Sequence, residues 1–379
     1  MGQGDTIRTH IFGHSLINFV HPDDPPPFPN YQSAVPYWVS EFAAEADNQY
    51  ELSGQWGQLH EHRLLNVQPN WGFSNVAGAW DGDIETFDEV DFTSIIIMPS
   101  NFEQYLSPTT NFDGLDYSTV DATETVFNWC IAQEPNLNFF IYEHWTEMTS
   151  NLLIDSTGWN AYNQTITGSY NDWFIDYQDA MITLYPNSCI SMIPVGPIIS
   201  EILTMAPYDQ IPLTEIYVDA DPHGTPNLYF LAGMITYMAL YEEPAPSTYV
   251  PPTYLHAMII ANYNNLIDFI WQALQGFDNN DGDSRVFCTE TSTSSTDLSL
   301  DVESITLLPN PCDDKVVISG LLSGYSIDIL DANGQVHQSL NTTQSQIIIN
   351  TASLPAGVYF LRIWNNSNSN LHIETMIKM

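Results

Sequence analysis

A serine and a histidine that lie far apart in the chain have the surroundings that best suit nucleophilic chemistry. Ser15 follows an apolar run in the sequence FGHSLINF, and His223 lies in YVDADPHGTP, close behind Asp219 and Asp221. A serine hydroxyl is a weak nucleophile until a base takes its proton, and a carboxylate beside a histidine orients the imidazole for that task. Taken singly, Ser15 also fits a turn hydroxyl, and His223 fits a solvated histidine in an acidic loop.

Attack on a carbonyl also needs N–H donors for the oxyanion that forms. Gly57 follows a second apolar run, and a glycine there lets a backbone N–H approach a substrate closely. Asn101 follows a third run and offers a side-chain amide. Both residue types are also common in turns, so they indicate oxyanion donors only if the fold brings their loops to Ser15.

The elements that must position these residues follow from the hydrophobic pattern. Continuous apolar runs predict strands covered on both faces, as in a parallel sheet, over residues 7–12, 49–53, 93–99, 137–143 and 189–195. Helices are predicted near residues 35–46, 120–132, 158–184, 226–241 and 253–275. This alternation predicts an α/β domain with a doubly wound parallel sheet, helices on both faces and ligands beyond the carboxyl ends of the strands.

The composition changes at residues 277–302, where Ser, Thr, Asp and Asn replace apolar residues. We interpret this stretch as a linker between an α/β domain, residues 1–276, and a C-terminal domain, residues 303–379. Beyond the linker, short alternating runs such as KVVISGL and GVYFLRIW are divided by turn signals, which predicts a small all-β sandwich.

The C-terminal domain carries several motifs in a distinctive order. LLPNPCDDKVVI, IDILDANGQV, LPAGVYFLRI and the closing IKM resemble the C-terminal sorting domain of proteins exported by the type IX secretion system, over about residues 303–379. The resemblance implies a Bacteroidetes-type bacterium, passage through the periplasm, and release or attachment at the cell surface, with the secretion machinery as a partner. The start MGQGDTIRTH lacks the regions of a signal peptide, so we expect that a leader has been removed and a Met supplied.

The order of the four loop signals in the first domain is also distinctive. A serine after the first strand, a glycine after the second, an asparagine after the third and an Asp/His pair before a late helix resemble the SGNH, or GDSL-type, hydrolase family over about residues 7–241. The resemblance implies that Ser15 is the nucleophile and first oxyanion donor, that Gly57 and Asn101 are the other donors, and that His223 is the base. It also implies ester hydrolysis through an acyl-enzyme, without a metal or cofactor.

Two positions depart from that family's pattern. GHSL stands where the family usually has GDSL, so that His14 replaces an aspartate that is not a triad member. The family usually spaces its acid and base as DxxH, but Ala220 holds the acid position here. We therefore favour Asp219 as the acid, with Asp221 or a backbone carbonyl as alternatives.

Charge limits the classes of partner. Six Lys and Arg residues against 46 Asp and Glu residues give a formal net charge of −40, which repels phosphate backbones and anionic membranes. An uncharged substrate is expected, and nucleic acid is not. No apolar run has the length of a transmembrane helix. The four cysteines show no CxxC spacing, so a zinc knuckle is not expected, and the sequence leaves open whether any of them form disulfides.

Aromatic residues and histidines in loop-like stretches allow further interpretations. Trp71 and Trp145 are candidate sugar-binding residues, although such tryptophans are more often partly buried core. The HEH sequence at residues 60–62, with His10, His14 or Asp81, could assemble a zinc site, although nothing fixes a tetrahedral set.

These observations favour a secreted SGNH-type esterase that removes acetyl or similar acyl groups from carbohydrate. The alternative from another class is a non-catalytic surface protein that binds a glycan or a partner on the same scaffold, motivated by the unusual Asp/His spacing. A metal-dependent hydrolase that uses the histidine cluster is the third possibility.

Overall fold

The computed structural model divides the chain into two compact units, Met1–Glu290 and Thr291–Met379. It describes residues 4–19, 34–99, 103–148, 156–288, 306–308, 310–319, 325–331, 336–342, 346–365 and 371–378. Among these residues no helix has both the length and the apolar character needed to cross a bilayer.

A sheet of six parallel strands, in the order β3-β2-β1-β4-β5-β6, forms the centre of the first unit. Its strands are β1 (Thr6–Gly13), β2 (Gln49–Trp56), β3 (Ala77–Gly78), β4 (Ser94–Ile97), β5 (Asn138–Glu143) and β6 (Ile190–Pro194). The chain lays β2 on one side of β1 and β4 on the other, so the strand order reverses at β1. In open α/β sheets a crevice forms at the carboxyl ends of the strands where the order reverses.

Helices cover both faces of this sheet. They are α1 (Val35–Glu45), α2 (Leu59–His62), α3 (Thr119–Gln133), α4 (Ser156–Thr165), α5 (Asn171–Leu184), α6 (Val195–Thr204), α7 (Pro226–Tyr241), α8 (Ala257–Ala261) and α9 (Tyr263–Gln275). Successive residues of β4 point to opposite faces: Ile96 belongs to a buried cluster that includes residues of α1, α6, α7 and α9, whereas Ile95 and Ile97 belong to one that includes residues of α3 and α5. The predicted doubly wound fold is confirmed.

Helix α7 is buried along almost its whole length, because it is apolar on every side. Thr225 caps its first turn by accepting a hydrogen bond from the Asn227 N–H, and Pro226 occupies the first helical position. A Cβ atom at Gly233 would lie 2.3 Å from Cβ of Trp38 in α1, so only glycine permits this helix crossing. The close packing fixes the start of α7, and with it the loop that carries His223.

Two predicted helices differ from the observed ones, and one observed helix was not predicted. The helix predicted over residues 158–184 is divided by a π-helical turn at Ile166–Tyr170, where Gly168 leaves the helical conformation. The helix predicted over residues 253–275 begins only at Ala257 and is broken at Asn262. Helix α6 follows β6 without a polar residue between them. The two elements form one apolar run, so the helix was not recognised in the sequence.

The first unit extends further than predicted, because the segment before residue 289 belongs to it. Arg285 forms an ion pair with Asp179 of α5, with Nη1 and Oδ1 2.7 Å apart, and its carbonyl accepts the N–H of Met192 in β6. A disulfide joins Cys288 to Cys189. The linker boundary proposed at residue 277 is therefore corrected to a point beyond Cys288, and residues 289–302 lie outside the described part of the chain.

The described residues of the second unit form β-strands that pair antiparallel, apart from a short parallel bridge. Its strands are β7 (Thr306–Leu308), β8 (Lys315–Ser319), β9 (Tyr325–Asp331), β10 (Val336–Thr342), β11 (Gln346–Asn350), β12 (Gly357–Asn365) and β13 (Leu371–Lys378). They form one sheet in the order β10-β9-β12-β13 and another in the order β11-β8-β7. Ile318 from one sheet and Ile329 and Leu361 from the other share one buried cluster, as expected for a small sandwich.

Candidate active site

Ser15 lies in a tight turn at the carboxyl end of β1. The Ile17 N–H donates to the His14 carbonyl at 3.3 Å, which closes the turn, and the Val35 N–H donates to the Ile17 carbonyl at 2.9 Å, which ties the turn to α1. The strand ends at Gly13, so the serine hydroxyl emerges at the edge where the fold predicts a ligand crevice.

The histidine predicted as base contacts both the serine and an aspartate. His223 Nε2 lies 2.9 Å from Ser15 Oγ, and His223 Nδ1 lies 2.8 Å from Asp219 Oδ2. Because the carboxylate only accepts, Nδ1 carries the proton and Nε2 is left as the acceptor that faces the serine hydroxyl. The three side chains therefore form a Ser-His-Asp relay in the arrangement needed to deprotonate Ser15.

Asp219, rather than Asp221, contacts the His223 imidazole. Asp219 Oδ1 also accepts the backbone N–H of His223 at 3.0 Å and that of Asp221 at 3.1 Å. Asp221 is exposed. Because the chain turns back on itself between Asp219 and His223, the carboxylate reaches the imidazole despite the unusual spacing.

The loop that carries His223 is held from several sides. The Val218 N–H donates to the His223 carbonyl at 2.7 Å, and the Met148 N–H donates to the Ala220 carbonyl at 3.1 Å. Trp145 Nε1 donates to the Pro222 carbonyl at 2.8 Å. This bracing limits the movement of the imidazole relative to Ser15.

The environment of Trp145 corrects one sequence-based expectation. Its side chain is completely buried, so no face of the ring is available to a sugar. Trp145 therefore supports the His223 loop instead of binding substrate.

Phe19 is a residue at the site that the sequence analysis did not single out. Its ring stacks on the His223 imidazole, with centroids 3.7 Å apart and planes inclined by 16°. The phenyl face covers one side of the base and restricts its rotation. A phenylalanine four residues after a candidate nucleophile gives no sequence signal for this contact.

The oxyanion donors agree only in part with the prediction. The Ser15 N–H has no acceptor among the described residues. The Gly57 N–H, in contrast, donates to the Gly13 carbonyl at 3.0 Å and extends the ladder between β1 and β2. The expectation that Gly57 stabilises the oxyanion is therefore corrected, and Asn101 lies outside the described residues.

Gly57 has a structural reason to be glycine. Its φ angle is 153°, and a Cβ atom there would lie 3.0 Å from Glu61 Oε2 and 3.2 Å from Cε1 of His62. His62 Nε2 lies 3.1 Å from the Gly57 carbonyl, so this imidazole holds the turn after β2.

The histidines considered for zinc do not form a cluster. His10 Nδ1 lies 2.8 Å from Ser53 Oγ, and His62 is used at Gly57. Burial lowers the pKa of His10 to about 3 and that of His62 to about 4, so both are neutral structural side chains. Among the described residues, the group whose ligand atoms come close enough for a shared ion is Asp219, Asp221 and His223, two of which belong to the relay.

Two tryptophans lie in segments near the carboxyl end of β1. Trp56 ends β2 opposite Gly13 in the strand register, and 54% of its surface is exposed. Trp71 is half-buried, and its N–H donates to the Gly54 carbonyl at 3.0 Å. The Asn70 side chain accepts the Trp56 N–H at 3.2 Å, and Asn18 of the Ser15 turn donates to the Gly72 carbonyl at 3.5 Å. The segments that carry the two tryptophans are thus tied to each other and to the loop after β1, and Trp56 was not singled out because the predicted second strand ended at residue 53.

A separate cleft of about 870 Å³ is lined by residues that include Asn70, Trp80 and Trp129. Neither Ser15 nor His223 lines this cleft.

Comparison with known proteins identifies the C-terminal unit. Residues 306–378 match the family of the secretion system C-terminal sorting domain. The resemblance found in the motifs of this unit is confirmed. Such a domain indicates secretion or attachment at the cell surface and interaction with the secretion machinery. No protein with a curated description matches the chain.

Solved structures similar to the chain include three that we name here. PorZ, a surface component of the type-IX secretion system of Porphyromonas gingivalis, is 18% identical over 22% of this chain, with a TM-score of 0.21, and the match spans only 12% of its length. A DUF4886 family protein from Bacteroides uniformis is 12% identical, with coverage of 74% of this chain and 98% of that one and a TM-score of 0.45. A GDSL-like lipase from Parabacteroides merdae is 11% identical, with coverage of 64% and 98% and a TM-score of 0.39.

Proposed function

We propose that the protein is a secreted serine esterase that hydrolyses acyl esters through an acyl-enzyme. The single observation that carries the proposal is the relay from Asp219 through His223 to Ser15, with successive contacts of 2.8 and 2.9 Å. Such a relay supplies a base for the nucleophile and an orienting group for the base.

The reaction proceeds in two halves on these residues. Ser15 Oγ attacks the ester carbonyl and gives its proton to His223 Nε2, while the Ser15 N–H donates to the oxyanion. The C–O bond to the alcohol breaks, and His223 returns the proton to the leaving oxygen. Water then loses a proton to His223 and attacks the acyl-enzyme, which frees the acid and restores Ser15.

We propose a carbohydrate as the alcohol part of the ester, with acetyl as the acyl group. The support is Trp56, which is exposed at the end of β2 opposite Gly13, since an exposed indole face packs against the apolar faces of sugar rings. Another support is the net charge of −40, which disfavours anionic substrates. The secretion signal also suits an enzyme that meets extracellular polymers.

The alternative of a non-catalytic glycan-binding protein rested on the unusual spacing between the acid and the base. That spacing does not prevent contact, because Asp219 reaches the imidazole. The motivation for the alternative is therefore weaker, although a binding protein remains one outcome of the test.

Hydrolysis of p-nitrophenyl acetate and of an acetylated polysaccharide should be measured for the intact protein and for Ser15→Ala. Ser247→Ala, a change of an exposed serine in the loop after α7, serves as the matched control. We expect Ser15→Ala to lose several orders of magnitude in turnover and the control to lose nothing. Equal activity of the two variants, or retained glycan binding without any hydrolysis, would overturn the esterase proposal.

A further inference from the structure

Two buried histidines at the active-site edge share one backbone carbonyl. His14 Nε2 lies 3.1 Å and His144 Nε2 lies 2.8 Å from the Pro99 oxygen. Both side chains are buried, and their rings meet edge to face with centroids 5.1 Å apart. These three residues follow the carboxyl ends of β1, β5 and β4, so the contact ties the three strand ends together.

The acceptor fixes the protonation of both rings. A carbonyl oxygen only accepts hydrogen bonds, so each Nε2 must carry its hydrogen. The Tyr170 hydroxyl and the Trp145 carbonyl lie 3.0 and 2.9 Å from Nδ1 of His144, and in the neutral Nε2–H ring this nitrogen accepts the hydrogen bond from Tyr170. Burial lowers the pKa of His14 to about 3 and also lowers that of His144, so both rings are neutral donors.

The direction of the Ser15 N–H depends on the peptide that joins Ser15 to His14. The His14 carbonyl accepts the Ile17 N–H at 3.3 Å, so this peptide is held at its oxygen. In a trans peptide the N–H points away from that oxygen. The His14 side chain is also held at Pro99, so the peptide is restrained from two sides, and its N–H has no acceptor among the described residues.

We propose that His14 and His144 are positioning residues that clamp the Pro99 carbonyl and thereby hold the Ser15 N–H in place for the oxyanion. The inference rests on the proposed esterase function and deepens it. It also gives a role to His14, the residue of the GHSL motif that the relay does not use.

Kinetics of His14 variants test the positioning role. His14→Leu removes the donor, whereas the amide N–H of His14→Gln reaches about the position of Nε2 and restores it. We expect kcat for p-nitrophenyl acetate to fall about 10- to 100-fold in His14→Leu with KM almost unchanged, since small misplacements of catalytic groups cost about that much. His14→Gln should recover most of the loss.

His10→Leu is the matched control, because His10, which lies in β1, is also a buried histidine whose ring is hydrogen-bonded, in its case to Ser53. We expect this variant to lose stability but to keep kcat. If His10→Leu and His14→Leu lower kcat equally, or if His14→Gln is as impaired as His14→Leu, the positioning role is wrong.

A spectroscopic measurement tests the clamp independently of activity. The ¹⁵N NMR signals of the imidazole rings should show His14 and His144 as neutral Nε2–H tautomers near pH 7. An Nδ1–H tautomer at either ring would refute the clamp even in an active enzyme. If both tautomers are as expected but the protein hydrolyses no ester, the clamp geometry stands, and both the esterase function and the positioning role are refuted.

Discussion

Removing the charge of Asp219 should lower kcat through loss of one electrostatic contact. In the transition state His223 becomes an imidazolium beside the Asp219 carboxylate, with Nδ1 and Oδ2 2.8 Å apart. With charge centres roughly 4 Å apart and an effective dielectric constant of about 20, the attraction is about 4 kcal/mol. The Asp219 side chain is 37% exposed, so solvent screening reduces this to about 2–4 kcal/mol. Asp219→Asn should therefore lower kcat by about 30- to 1,000-fold.

Steady-state hydrolysis of p-nitrophenyl acetate is the assay, with Asp221→Asn as the matched control. Both changes remove one carboxylate from the same loop, but only Asp219 contacts the imidazole. KM should stay nearly constant in both variants, because the contact strengthens only as charge develops. A larger loss in Asp221→Asn, or a loss below about threefold in Asp219→Asn, would refute the assignment of the acid.

Two further predictions concern substrate and stability. Trp56→Ala should lower kcat/KM about tenfold for an acetylated oligosaccharide but not for ethyl acetate, whose alcohol has no ring. The control is Val250→Ala, because the Val250 side chain is also exposed. An equal loss of kcat/KM on both esters would exclude stacking of a sugar on Trp56. Burial raises the pKa of Glu143 from 4.5 to about 8, although Asn171 Nδ2 donates to the carboxyl and opposes the rise. The stabilisation from the neutral carboxyl is therefore complete below pH 4.5 and lost as the pH rises through 8. Over this range the unfolding free energy of the wild type should drop by up to about 5 kcal/mol relative to that of Glu143→Gln. No change would show that Glu143 does not titrate between these pH values.

The sequence predicted the sheet well because its strands are short, continuous apolar runs. The run SIIIM can be covered only from both sides, and β4 is buried on both faces. The pattern failed where neighbouring elements share one apolar run, as at the passage from β6 into α6. It also failed near residue 277, because composition does not show that Arg285 and Cys288 are tied to the first unit.

The site was predicted in its residue types but not in its contacts. Ser15 follows the carboxyl end of β1, and His223 lies in the loop before α7. Loops at the carboxyl edge of a parallel sheet lie close together, and this explains why the two side chains meet. That the Gly57 N–H is used within the sheet depends on backbone geometry, which one glycine in a sequence does not show. Likewise Trp145 and Trp56 look alike in the sequence, although one is core and the other is exposed.

Covalent labelling of Ser15 tests the central claim most directly. An alkyl fluorophosphonate reacts with an activated serine, whose Oγ displaces fluoride while the base takes the proton. Mass spectrometry of the intact protein and of its peptides should show one phosphonyl group, located on Ser15, with hydrolysis lost in parallel and no labelling of the unfolded chain. A protein that hydrolyses esters while Ser15 stays unlabelled, or that is inactivated by labelling elsewhere, would contradict the account.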